Sequence, residues 1–338
     1  MNVNPLRSLR RLVLGVSPQE TSFAKRGFEL GEITLQSHLE GIGEYFVRGY
    51  NLALAHYPDE ELYNELDCIS AEFSGFAYEG AAMALMILDL LTPWRRNRWK
   101  SFLDGPARNH DYMSYVGAGW ALARLKKSPA KFLANNDSPL RWLALDGYGF
   151  HHGFFDSENS ITRQTVPAQI EGYMRKAFDQ GLGRSLWFVK CANVENITES
   201  ISAFHPDRRS DLWSGLGLAS AYAGGVRPDT YADIKEQARE FYPVLAQGVA
   251  FAAKARIKAG NLGDHTEVAC DVICGMSADE AARITDTAAL DLPVEDRSLA
   301  ETPAYEVWRK RVQAAITEKN AENNTEKNTE KKQRSAVK

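Results

Sequence analysis

The segment Asp146-Gly-Tyr-Gly-Phe-His-His-Gly-Phe-Phe155 places an acid, two adjacent histidines, three glycines and four aromatic residues within ten positions. A histidine near a carboxylate can give or take a proton close to neutral pH. Asp146 stands five or six residues before His151 and His152, close to their face of a helix. Adjacent helical side chains point about 100° apart, so the two histidines cannot chelate one metal ion. The same residues would also serve as an aromatic core cluster with hydrogen-bonded histidines. A second group, Asp179, Gln180 and Arg184, offers a carboxylate and a guanidinium to one groove, or else a single salt bridge between helices.

These residues belong to a wider pattern. Gly80, Gly117, Gly153, Gly181, Gly215 and Gly248 are separated by 37, 36, 28, 34 and 33 residues. Five of the six open a Gly-x-(Gly/Ala)-x-(Ala/Ser) unit, such as Gly117-Ala-Gly-Trp-Ala121 and Gly215-Leu-Gly-Leu-Ala219, and Gly153 breaks it. The residues just before them are Glu79, Val116, His152, Gln180, Ser214 and Gln247, polar in five cases. Aligned in a repeat, they would line a groove, or hydrogen-bond between neighbouring helices as buried polar groups must. The aromatics Tyr78, Trp120, Tyr148, Phe150, Trp187 and Trp213 fall in the same segments. With Gln180, Arg184 and Gln247 they make up the candidate groove, and Glu79, Asp146, His151, His152 and Asp179 are the candidate acids and bases.

A period near 34 residues is the mark of stacked helical hairpins. Small residues at i and i+2 open two nearly opposite helix faces to close approach. Breaks fall where hairpin turns belong, at Thr92-Pro93, Ser128-Pro129, Ser138-Pro139, Val166-Pro167, His205-Pro206 and Arg227-Pro228. Alternating strand patterns bounded by hairpin turns are missing. The expected fold is all-α, helical hairpins stacked as a tetratricopeptide-like α-solenoid. Its expected units are a basic N-terminal segment 1–22, one helical domain 23–317 and a disordered polar tail 318–338.

Bulk properties narrow the function. The net charge of −4 lacks the basic excess of a nucleic-acid binder. Four scattered cysteines fit buried thiols in a reducing, cytoplasmic setting. The longest apolar run, Ala81 to Leu91, contains Asp89 and is too short for a membrane span. No dinucleotide fingerprint, phosphate loop or nucleophile elbow occurs, so no cofactor and no metal are expected.

Several blocks resemble an uncharacterised bacterial family often labelled enediyne biosynthesis protein, or UnbL-like. They include Glu72-Phe-Ser-Gly-Phe-Ala-Tyr-Glu-Gly-Ala-Ala-Met83, Tyr112-Met-Ser-Tyr-Val-Gly-Ala-Gly-Trp-Ala-Leu-Ala-Arg124, Asp146 to Phe155, Ala177 to Trp187 and Asp211 to Ala219. The resemblance runs from about residue 10 to residue 316 and implies a place in specialised metabolism. It brings no catalytic residues with it. Two readings follow. One is an accessory protein that holds a hydrophobic intermediate or a pathway protein in its groove. The other is a cofactor-independent enzyme performing an isomerisation, cyclisation or elimination on an unsaturated apolar substrate.

Overall fold

A computed structural model describes residues 5–92, 94, 97–136, 138–293 and 302–336, with side chains from residue 10 to residue 322. Pro93, the first four residues and the last two lie outside this set. All regular structure among the described residues is helical.

Nine helices carry the fold: α1 (Ile33–His56), α2 (Ala71–Leu91), α3 (Asp111–Arg124), α4 (Leu143–Phe155), α5 (Tyr173–Val189), α6 (Pro206–Ala223), α7 (Tyr242–Ala259), α8 (Ala278–Ala288) and α9 (Ala304–Ala336). Shorter helical segments and loops return the chain between them. From α1 to α8 each helix packs on the next. Neighbours run in the same direction. Along α4 and α5, Asp146 meets Gln180, Gly149 crosses Phe178, and Gly153 lies on Ser185.

The paired glycines make this packing possible. On α5, a Cβ at Gly181 would stand 1.9 Å from the Asp146 carbonyl oxygen of α4, and one at Gly183 would stand 2.1 Å from the Leu212 carbonyl of α6. The first glycine of the pair therefore faces the preceding helix and the second faces the following one. α3, α4 and α6 repeat the device. Glycine in a helix costs about 1 kcal/mol relative to alanine, and the close backbone approach offsets it.

The structure changes the register of the repeat at α4. The pair equivalent to Gly181-x-Gly183 is Gly147-x-Gly149, which face Val116 and Phe178 carbonyls at 2.0 Å. Gly153 sits one to two turns later, against the Ser185 hydroxyl. The polar row is then Glu79, Val116, Asp146, Gln180, Ser214 and Gln247, and His152 is not a member. The sequence alone favoured Gly153 because its spacing from Gly117 matched the period more closely.

The succession of helices closes on itself. The His38 ring nitrogen is 2.7 Å from the Ala223 carbonyl. Arg256 donates to the Glu72 carbonyl at 3.1 Å, and Asn261 donates to Ser74 at 3.1 Å. The ends of α6 and α7 thus meet the beginnings of α1 and α2. α9 covers the second half of the polar row. Tyr305 bonds Gln180, and Arg309 reaches Gln247 and Asp211. The helix continues past residue 317: Asn320 donates to Tyr242 and to the Cys274 carbonyl. Lys, Glu and Asn at these positions still allow helix, supported by i, i+4 charge pairs.

Candidate functional site

The closed succession of helices encloses a narrow cavity of about 60 Å³. Six of the nine helices line it, α1 to α6, together with Val16, Glu20 and Thr21 of the N-terminal segment. Its wall follows from the corrected repeat. One turn after the polar row come Met83, Trp120, Phe150 and Arg184; two turns after it come Arg124, Phe154, Phe188 and Tyr222. All eight line the cavity. Helical neighbours at i and i+4 share a face, so the row and these two layers lie on the same side of their helices. Phe46 of α1 completes the aromatic wall, its ring 4.6 Å from Trp120.

The N-terminal segment closes one side. Phe23 N–H donates to Glu40 at 2.7 Å, Phe28 packs edge-on against Phe154, and the Arg26 guanidinium lies 5.1 Å over the Phe155 ring. Glu20 pairs with Arg26 at 2.8 Å and borders the cavity.

Polar groups in the apolar wall are few. Glu79 is 3 % exposed and makes no hydrogen bond among the described residues. Burial pushes its carboxyl up to about 7. Arg184 and Trp120 oppose this shift, and Asp146 adds to it. The Trp120 indole N–H lies near enough to act on the Glu79 charge, yet neither it nor Arg184 Nε has a hydrogen-bond partner among the described residues. Asp146 is already engaged: it accepts from Gln180 at 2.7 Å and from Arg184. Arg184 also lies 5.0 Å over the Phe150 ring. The site is therefore an apolar slot holding a nearly neutral acid, an idle indole donor and a guanidinium whose charge is balanced by Asp146. Buried polar groups are normally hydrogen-bonded. A set left free on one cavity wall suits a ligand.

The remaining candidates fall elsewhere. His151 and His152 border a separate, open cleft with Tyr148, Gln169 and Asp156. Arg124 and Phe155 line both this cleft and the cavity, and divide them. Burial, with His152 and Arg124, pushes His151 down to about 3, so it is a neutral ring. Burial lowers His152 as well, against the pull of Asp156. Its ring stacks on Tyr148, whose hydroxyl accepts from Gln169 at 2.8 Å.

Asp179 accepts two hydrogen bonds from Arg208, and burial outweighs that guanidinium to push it up to about 6. Tyr78 donates to Asp67 at 2.7 Å and stacks on His110. Trp187 donates to the Gly224 carbonyl, and Trp213 stacks on Phe241. Gln247 accepts from Ser214 and Arg309. Of the residues singled out in the sequence, the cavity brings together Glu79, Trp120, Phe150 and Arg184. Sequence reading missed Phe46, Arg124, Phe154, Phe188 and Tyr222. Counting four and eight residues on from the polar row would have found all but Phe46, given the right register.

Among the described residues no three His, Cys, Asp or Glu side chains gather closely enough to hold a metal ion. One helix, α2, is long and apolar enough to cross a membrane, and most of it is buried inside the protein.

Fold and cavity together define an all-helical protein with an enclosed apolar slot that bears a single unpaired carboxyl. Residues 5–316 match the family described as protein of unknown function (DUF1702), and the chain belongs to that family. No curated protein and no solved structure matches it.

Proposed function

We propose that the protein takes an unsaturated, apolar small molecule into the closed slot and that Glu79 acts on it as proton donor or acceptor, without a cofactor. The observation that carries this reading is the carboxyl on the cavity wall, free of hydrogen bonds and held near 7 by burial. A general acid–base group works best when its pKa lies near the working pH. The reaction class is isomerisation, cyclisation or elimination, which needs only proton movement. The resemblance to enediyne-associated proteins supports a specialised-metabolite substrate. We read the architecture as a tetratricopeptide-like solenoid closed on itself, on the strength of its parallel long helices and return segments.

The accessory reading differs in one respect: the ligand would be held and not converted. An open groove for a partner protein has less support, because α9 covers the second half of the polar row. Deleting the gene in its host and profiling metabolites separates the two. If Glu79 is catalytic, Glu79→Gln complementation leaves a discrete intermediate accumulating, as the empty deletion does. His152→Ala complementation restores the product. Full rescue by Glu79→Gln refutes the acid–base role and leaves the carrier reading.

A further inference from the structure

The polar groups of the slot say what the ligand carries at its inner end. This step rests on the small-molecule reading above. Trp120 Nε1 and Arg184 Nε are hydrogen-bond donors without partners, and both residues are at least nine-tenths buried on the cavity wall. Each such group left unmatched costs roughly 1–3 kcal/mol of desolvation. The groups that accept hydrogen bonds nearby are already occupied: both Asp146 oxygens are used, by Gln180 and by Arg184. What the wall lacks is an acceptor.

Charge decides which acceptor. Arg184 is balanced by Asp146, so the wall carries no net positive charge. An incoming carboxylate would face Asp146 and Glu79 without a free cation to meet it. Burying an unpaired charge in such a site is costly. A cation would meet two idle N–H donors. A neutral oxygen fits best.

The slot itself adds a constraint of shape. Twenty-one residues line a volume of about 60 Å³, less than half of the roughly 150 Å³ that admits benzene in an engineered core cavity. The free space is thin and extended, so any ligand must turn aromatic side chains aside. A flat, rod-like chain displaces fewer of them than a branched one.

We infer that the slot selects a neutral carbonyl at the end of a conjugated hydrocarbon chain, its oxygen received by Trp120 Nε1–H and by the Glu79 carboxyl. A protonated Glu79 then donates to the same oxygen and polarises the conjugated system, and the aromatic wall packs the chain. No bond need break for this recognition.

Three probes of nearly equal length test the inference on the full chain by titration calorimetry: 3,5-heptadien-2-one, 2,4-hexadienoate and 2,4-heptadiene. The expected order is ketone first, about five- to tenfold tighter than the hydrocarbon, with the carboxylate weakest. The ultraviolet band of the bound dienone moves to longer wavelength than in alkane solvent. Trp120→Phe keeps the ring and removes the donor, so it brings ketone and hydrocarbon to equal affinity and diminishes the band shift. An unchanged melting temperature certifies that variant. Equal binding of ketone and hydrocarbon by the unmodified protein overturns the carbonyl end and leaves the apolar slot standing. Tightest binding of the carboxylate overturns it too. Failure of all three probes overturns the slot reading itself, and this inference with it.

Discussion

Replacing Glu79 by glutamine keeps the size of the side chain and removes its ionisation, so the cost of the buried carboxyl can be read directly. The folded protein holds this group near 7 against an ordinary value of 4.5. Below pH 4.5 the carboxyl is protonated in folded and unfolded chains alike and contributes no difference. Between 4.5 and about 7 the unfolded chain gives up the proton and the folded chain keeps it, so stability falls as pH rises. Above about 7 the folded protein must carry the buried anion, and the loss is complete. At about 1.4 kcal/mol per pH unit the whole loss is about 3 kcal/mol. The facing charges that set this value are Arg184 of α5 and Asp146 of α4, with the Trp120 indole of α3 beside them. Glu79→Gln should therefore gain stability relative to the unmodified protein by about 3 kcal/mol between pH 4 and pH 8. Urea unfolding at both pH values measures it, with equal slopes as the control. Asp179 and His151 titrate in both proteins and cancel. A stability difference that stays constant across pH refutes the reasoning. It would mean that Glu79 ionises as easily when folded as when unfolded.

Further substitutions probe the frame and the pairing around the slot. Gly149→Ala places a methyl group 2.0 Å from the Phe178 carbonyl oxygen, forcing α4 from α5 at a cost of about 3 kcal/mol or more. Gly41→Ala in α1 meets nothing within 4 Å and should gain about 0.5–1 kcal/mol; equal effects of the two in thermal unfolding would deny the close-approach role. Arg208→Met strands Asp179 in the interior and should cost about 3–5 kcal/mol at pH 8. The loss shrinks in acid as Asp179 takes up a proton, and a pH-independent loss in urea melts would show the ion pair to be immaterial.

Much of the fold was legible in the chain. Paired glycines two apart say that a helix is approached from both sides, since a helix turns about 200° over two residues. The period says that such helices follow one another. Glu79, Trp120, Phe150 and Arg184 could be singled out because polar and aromatic residues recur at fixed places beside those glycines. Register at α4 was not legible. Gly147 and Gly153 both fit the composition, and only the distance to a neighbouring backbone tells them apart. That slip took His152 into the polar row and left Asp146 out of it.

The repeat thus prescribed local geometry: which residues are helical, which face each glycine opens, and which side chains stand one and two turns beyond the polar row. It could not prescribe what each member of the row would meet. Asp146, Gln180, Ser214 and Gln247 find partners on adjacent helices or on α9. Glu79 occupies the equivalent place and lies against a cavity. The difference arises because α9, more than 200 residues away in the chain, reaches the second half of the row and not the first. Contacts between residues so distant in sequence depend on how the whole succession closes. A helical period carries no record of that closure, and it is the closure that turned one of several polar residues into an unpaired acid.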